Sequence, residues 1–395
     1  MKLSRKNLGR VATTFLATAM LASLTAVPAM AANGVSGGGT PESKVTTIPI
    51  GKTITTDGHS YAPNETYTFI VEGGAAGNYM IEENNEFVSK AVLAGATGDL
   101  NVSTTESKTN TGEDPAASYT LEDATITVNE NAFLSKTPGI YHYVVTEKVG
   151  TTTGMTYDTS VYDLFLYVMN GPIGVNDHYV GYAVAVEQVV DTGEGSPTNG
   201  QLIPGTEKAE KIAFVNDYDS SNQLLHDITV TKRVEGSMGD KVNDEFTFTV
   251  SVDGEANESF YVEYKTSANA QVTKASVTTG QDLSIPGIKH DGVITIYGLD
   301  ADDKFEISET SAAGYTTYVD MDYQTGDTHD SMTDSDKKVT TGENEAGTKN
   351  WNIAFYNVKD ASAPTGIAMD IAPYALPVVI AAAACFVFLR KRNED

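Results

Sequence analysis

Between residues 44 and 360 apolar and polar positions alternate in short runs, among them VTTIPIGKTIT, YTFIVEG, ATITVNE, FTFTVSVDG and GVITIYGLD. A period of two marks strands that lay one face on a core, and the Asp-Gly, Asn-Gly and Pro-Gly dipeptides between the runs supply turns. No heptad or sustained helical period competes. Short strands at this spacing predict an all-β protein of tandem β-sandwiches. A polar break over 217–223 divides the region into 44–218 and 224–360, each large enough to bury its own core.

Within this pattern one run stands out, PGIYHYVVTEKVGTTTGMTYDTSVYDLFLYV, from residue 138 to 168. Tyr141, Tyr143, Val145 and Glu147 fall on one strand face. A carboxylate is thus aimed into an apolar layer, where an isolated charge costs several kcal/mol. The same anomaly recurs. Ile48, Ile50, Lys52 and Ile54 share a face, as do Ile212, Phe214 and Asn216; in the second half so do Ile228, Val230, Lys232 and Val234, then Phe305, Ile307 and Glu309, then Trp351, Ile353, Phe355 and Asn357. Each half therefore opens on a strand with an inward lysine, continues through one ending in glutamate, and closes on one ending in asparagine.

Lysine, glutamate and asparagine are rarely buried. Desolvation lowers a lysine pKa and raises a carboxyl pKa, so a buried pair tends toward neutral amine and neutral acid. Such an amine is a nucleophile and the Asn carboxamide an electrophile. A protonated Glu beside both can polarise the carbonyl and shuttle protons, giving a Lys-Asn isopeptide bond with loss of ammonia. A buried ion pair is the alternative use of the same residues.

The two ends of the chain read as targeting devices. Residues 1–31 combine Lys2, Arg5, Lys6 and Arg10, an apolar run and Ala29-Met30-Ala31, the order of a secretory signal peptide. A Gly-rich linker at 32–43 follows. Residues 371–389 carry no charge and suffice to span a bilayer as a transmembrane helix, and the tail at 390–395 begins with Arg390, Lys391 and Arg392. Ahead lies Ser-Ala-Pro-Thr-Gly at 362–366, which resembles a Gram-positive sortase sorting signal cut between Thr365 and Gly366, with proline one place late. A permanent single-span anchor is the alternative.

Composition narrows the partners. The chain of 395 residues carries 26 basic against 53 acidic side chains, a formal charge of -27. Such a surface repels nucleic acid and anionic lipid. The single cysteine, Cys385, sits in the apolar C-terminal segment, so the exported part can form no disulfide. Any covalent staple there uses other chemistry.

KTPGIYHYVVTEK followed by GMTYDTSVYDLFLYV, together with ITVTKRVEG and NIAFYNV, resemble the major backbone pilins of Gram-positive bacteria, of the two-domain streptococcal T-antigen type. The resemblance implies tandem Ig-like sandwiches, each with a Lys-Asn bond promoted by Glu: Lys52, Glu147 and Asn216, then Lys232, Glu309 and Asn357. It also implies polymerisation, in which a sortase joins the C-terminal Thr of one subunit to a lysine just before the Asn-bearing strand of the first domain. Lys208 and Lys211, in GTEKAEKIAFVN, are the two candidates. The implied partners are sortase, neighbouring pilin subunits, peptidoglycan and a host surface ligand, and the implied location is the cell wall.

The remaining signals are weaker. His59, His142, His178, His226, His290 and His329 show no paired ligand spacing, and the acidic stretch 320–336 lacks EF-hand order, so neither a metal nor another cofactor is expected. No phosphate loop, Ser-His-Asp pattern or thiol nucleophile points to an enzyme acting on external substrate. A pilus backbone leads; a wall-anchored adhesin that never polymerises is the alternative.

Overall fold

The computed structural model describes residues 44–83, 86–108, 113–171, 177–193, 196–219 and 224–361. The signal peptide, the linker at 32–43, the sorting motif with Thr365 and Gly366, and the apolar segment at 371–389 lie outside the described residues.

The described residues are almost entirely β, and their apolar side chains gather in two main cores. In the first half a six-stranded sheet has Thr47–Thr56 flanked by Ile212–Tyr218 and Ala124–Val128. Facing it is a seven-stranded sheet through Leu202–Lys208, His178–Val190, Val161–Asn170 and Gly139–Glu147. In the second half a six-stranded sheet holds His226–Glu235 between Val293–Leu299 and Trp351–Val358. A four-stranded sheet runs Asp282–Ile288, Phe246–Asp253, Lys304–Glu309 and Asn344–Glu345.

The alternating rows dictate which faces meet. Along Thr47–Thr56 the side chains of Ile48, Ile50, Lys52 and Ile54 are buried, and Ile228, Val230, Lys232 and Val234 repeat the row in the second half. Each apolar side chain so enclosed contributes about 1.5–3 kcal/mol. Opening and closing strands lie side by side and parallel in both halves, Thr47–Thr56 against Ile212–Tyr218 and His226–Glu235 against Trp351–Val358. This pairing of first and last strands brings together residues far apart in the chain.

Two outer faces are also covered. The hairpin Gly77–Glu83 and Glu86–Ala94 folds back so that Ile81 and Val92 form a small third core with Phe165 and Val186. In the second half Tyr318, Tyr323 and Met332 pack over Ala354, Tyr356 and Val358. The closing strand Trp351–Val358 is consequently buried on both faces rather than one. The halves touch through His59 stacked on Tyr297 at 4.8 Å, Asn64 Nδ2 donating to the Asn257 carbonyl, and Lys274 paired with Asp114.

Candidate functional site

The register of the parallel pairs is the same in both halves. Lys52 stands opposite Phe214 and Lys232 opposite Phe355, so Asn216 and Asn357 each lie two residues beyond the lysine's partner, on the same face. The glutamate comes from the facing sheet: Glu147 ends Gly139–Glu147 and Glu309 ends Lys304–Glu309. All six sequence-predicted residues are thereby brought into two clusters. Lys52, Lys232, Asn216 and Asn357 are at most 1% exposed, Glu147 6% and Glu309 2%, so solvent screens none of them appreciably.

In each cluster one carboxylate bridges the other two groups. Lys52 Nζ donates to Glu147 Oε2 at 2.8 Å, and Asn216 Nδ2 donates to Glu147 Oε1 at 3.1 Å. In the second half Lys232 Nζ donates to Glu309 Oε2 at 2.7 Å, and Asn357 Nδ2 to Glu309 Oε1 at 2.5 Å. Aromatic rings close the space around the amines. Lys52 Nζ lies 4.9 Å from the centre of the Tyr67 ring, and Lys232 Nζ 4.1 Å from that of Phe246.

Burial sets the electrostatics. Desolvation pulls the Lys52 pKa down and pushes that of Glu147 up, only partly opposed by their mutual attraction and hydrogen bond. It brings Lys232 down to about 8 and raises Glu309 likewise. Amine and acid are driven toward their neutral forms in the presence of a carboxamide. That is the proton inventory an amide exchange needs.

The clusters differ at the carbonyl oxygen. Asn216 Oδ1 accepts the backbone N–H of Asp158 at 2.9 Å. Among the described residues Asn357 Oδ1 is buried without a partner. Asp158 escaped the sequence reading because a backbone N–H leaves no residue signature.

A second polar group was also missed. His142 lies on the outer face of the Glu147 strand, its Nε2 2.7 Å from Asp163 Oδ1 and its Nδ1 3.1 Å from the Ala75 carbonyl, while Gln188 Nε2 donates to Asp163 Oδ1 at 2.9 Å. The folded-back chain leaves so little room that a Cβ at Gly74 would lie 2.2 Å from the His142 ring. The candidate linking lysines stand apart from both clusters. Lys208 ends its strand opposite Val186 and is half-buried; Lys211 is exposed, its Nζ 2.5 Å from Asp123 Oδ1.

Fold and clusters define a tandem β-sandwich protein that encloses one lysine, glutamate and asparagine set per sandwich. Residues 48–219 match the model of the Spy0128-like isopeptide containing domain, and residues 226–359 match a family described only as a domain of unknown function. Among curated proteins the chain is similar to the pilin of Streptococcus pyogenes serotype M1, 27% identical over 343 residues that span 84% of this chain and 86% of that one. Two solved structures share the fold. The major pilin from Streptococcus pyogenes has a TM-score of 0.52 at 19% identity, covering 80% of this chain and 99% of its own. The major pilin protein T3.2 from serotype GAS13637 has a TM-score of 0.50 at 19% identity, covering 81% and 99%.

Proposed function

We propose that this chain is the structural backbone subunit of a sortase-assembled cell-surface pilus, each of whose domains is closed by one internal isopeptide bond, Lys52 to Asn216 and Lys232 to Asn357. The observation that carries the proposal is the duplicated register: lysine opposite phenylalanine, asparagine two residues on, and a glutamate reaching both from the facing sheet. The match to the isopeptide domain family and the likeness to a pilin support it from outside the site.

The chemistry follows from the neutral state. The Lys Nζ lone pair attacks Asn Cγ, and the carbonyl π electrons move to Oδ1. Glu gives its proton to Nδ2 and takes one from the attacking nitrogen, so the acid is regenerated. The Cγ–Nδ2 bond then breaks and ammonia leaves. Each domain reacts once with itself and turns over no external substrate. Outside the domains, sortase cleaves between Thr365 and Gly366 and passes the Thr365 acyl group to Lys208 or Lys211 of the next subunit. The last subunit is passed to peptidoglycan, which leaves the assembled fibre at the wall and available to a host surface ligand.

Mass spectrometry tests the internal bonds. Each releases one ammonia, so the protein should weigh about 34 Da less than its processed sequence, and about 17 Da less after Glu147→Ala. An unreacted mass in well-folded protein would leave both clusters as buried ion pairs.

A further inference from the structure

We infer that Asp158 is a working part of the first cross-linking site: its backbone N–H receives the developing oxyanion of Asn216, and its carboxylate holds that N–H in place. The inference rests on the isopeptide reading above and adds to it a residue outside the lysine, glutamate and asparagine set.

The geometry is specific to one end of the carboxamide. A backbone N–H can only donate, so the atom 2.9 Å from Asp158 N is Asn216 Oδ1, and the Nδ2 is turned to Glu147 Oε1. The leaving nitrogen thus faces the acid that must protonate it, while the oxygen that gains charge faces a donor. Without such a donor only the contact with the glutamate distinguishes the two ends of the carboxamide. That is the situation in the second cluster, where among the described residues nothing donates to Asn357 Oδ1.

The carboxylate explains why the N–H is fixed. Asp158 Oδ1 accepts the Ser160 N–H at 2.8 Å, a turn closed by the side chain, and Oδ2 accepts the Val215 N–H at 2.6 Å. Val215 immediately precedes Asn216. Asp158 is therefore strapped to the closing strand just beyond the point where Met155–Thr156 stops pairing with it at Asp217. A nearby chain bond supports the same segment, since Tyr157 donates its hydroxyl to Glu65 at 2.5 Å. Burial dominates the shifts of Lys52 and Glu147, and the Asp158 charge adds a smaller upward push on both.

The two bonds in one molecule provide their own control. The full chain is made by cell-free synthesis in detergent, quenched in denaturant at intervals, and digested; the two cross-linked peptides are quantified separately. In wild type both appear. In Asp158→Ala the Lys52–Asn216 peptide should form about tenfold to hundredfold more slowly, the range below or near that for losing one oxyanion donor, with Lys232–Asn357 unchanged. Asp158→Asn keeps one acceptor oxygen and should recover part of the rate. Because it removes the charge, it should also move the pH profile of the first bond to lower pH and leave that of the second in place. A wild-type rate for the first bond in Asp158→Ala would overturn the inference while leaving the isopeptide reading intact. Equal slowing of both bonds, or equal loss in Ala and Asn with no change of pH profile, would reduce Asp158 to a fold-stabilising residue and overturn it too. Absence of both peptides from wild type would sink the isopeptide reading itself.

Discussion

Replacing Glu309 by Gln preserves the size and shape of the side chain but removes the acid that contacts both Lys232 and Asn357 in the second cluster. The second bond should then fail to form, and the chain between Lys232 and Asn357 becomes an open loop in the unfolded state. For a closed loop of about 125 residues the chain-entropy relation gives roughly 5 kcal/mol of stabilisation lost. For a domain of this size that is about 15–25 °C in Tm, or more than about 1 M in guanidinium midpoint. The assay is differential scanning calorimetry on protein whose mass has been read first. Asn357→Ala blocks the same bond while keeping the Lys232 ion pair with Glu309, so it separates the loss of the constraint from the loss of a buried partner. Both variants should weigh about 17 Da more than wild type after allowing for the substitution, and both should melt far below it. A Gln variant that still loses two ammonia equivalents would show that no acid is required. A variant lacking the second bond yet melting with wild type would refute the constraint argument.

Three further outcomes follow from the same geometry. Formation of the second bond should be bell-shaped in pH. The alkaline limb should lie near 8, where Lys232 and Glu309 together lose the shared proton, and the acid limb above the ordinary glutamate range, as rates from quenched cell-free reactions would show. In Asn357→Ala, Lys232 stays free with a folded pKa of about 8 against an unfolded value of 10.5, so the unfolded chain holds the extra proton between those values. Stability should therefore rise across that window, by up to about 3 kcal/mol, in urea titrations; a flat profile would contradict it. Replacing Lys208 and Lys211 together by Arg should abolish the ladder of SDS-resistant bands in wall extracts, because a guanidinium stays protonated and cannot attack an acyl group. A persisting ladder would move the acceptor elsewhere.

Period-two rows were enough to place Lys52, Glu147 and Asn216, and their counterparts, on core faces, because parity survives any uncertainty in strand ends. The same rule says nothing of what covers the outer faces. His142 and Asp163 alternate out of the main core, and the hairpin Gly77–Glu83 and Glu86–Ala94 covers them. Nothing local to residue 142 reports that distant cover. Tyr356 is enclosed for the same reason, by side chains from Tyr318 to Met332. The contribution of Asp158 is illegible at a deeper level. Its reactive group belongs to the backbone, and only the carboxylate that fixes it is written in the residue type.

If the proposed cross-links form, the parallel pairing of first and last strands would give the two bonds unequal mechanical duties in a fibre under tension. With the acceptor at Lys208 or Lys211, pull from the neighbouring subunit enters the chain a few residues before Asn216 and leaves toward Thr365. It never passes through Lys52. From Asn216 the load runs along the main chain to Lys232, then across the second bond to Asn357, so the whole stretch between those two residues is bypassed and cannot pay out length. The second bond is a shunt in series with the load. The first is a side tether, keeping the strand that receives the pull from being peeled off its neighbour. Cutting the second bond should make the fibre extensible by one domain per subunit, whereas cutting the first should lower the force at which the loaded strand detaches.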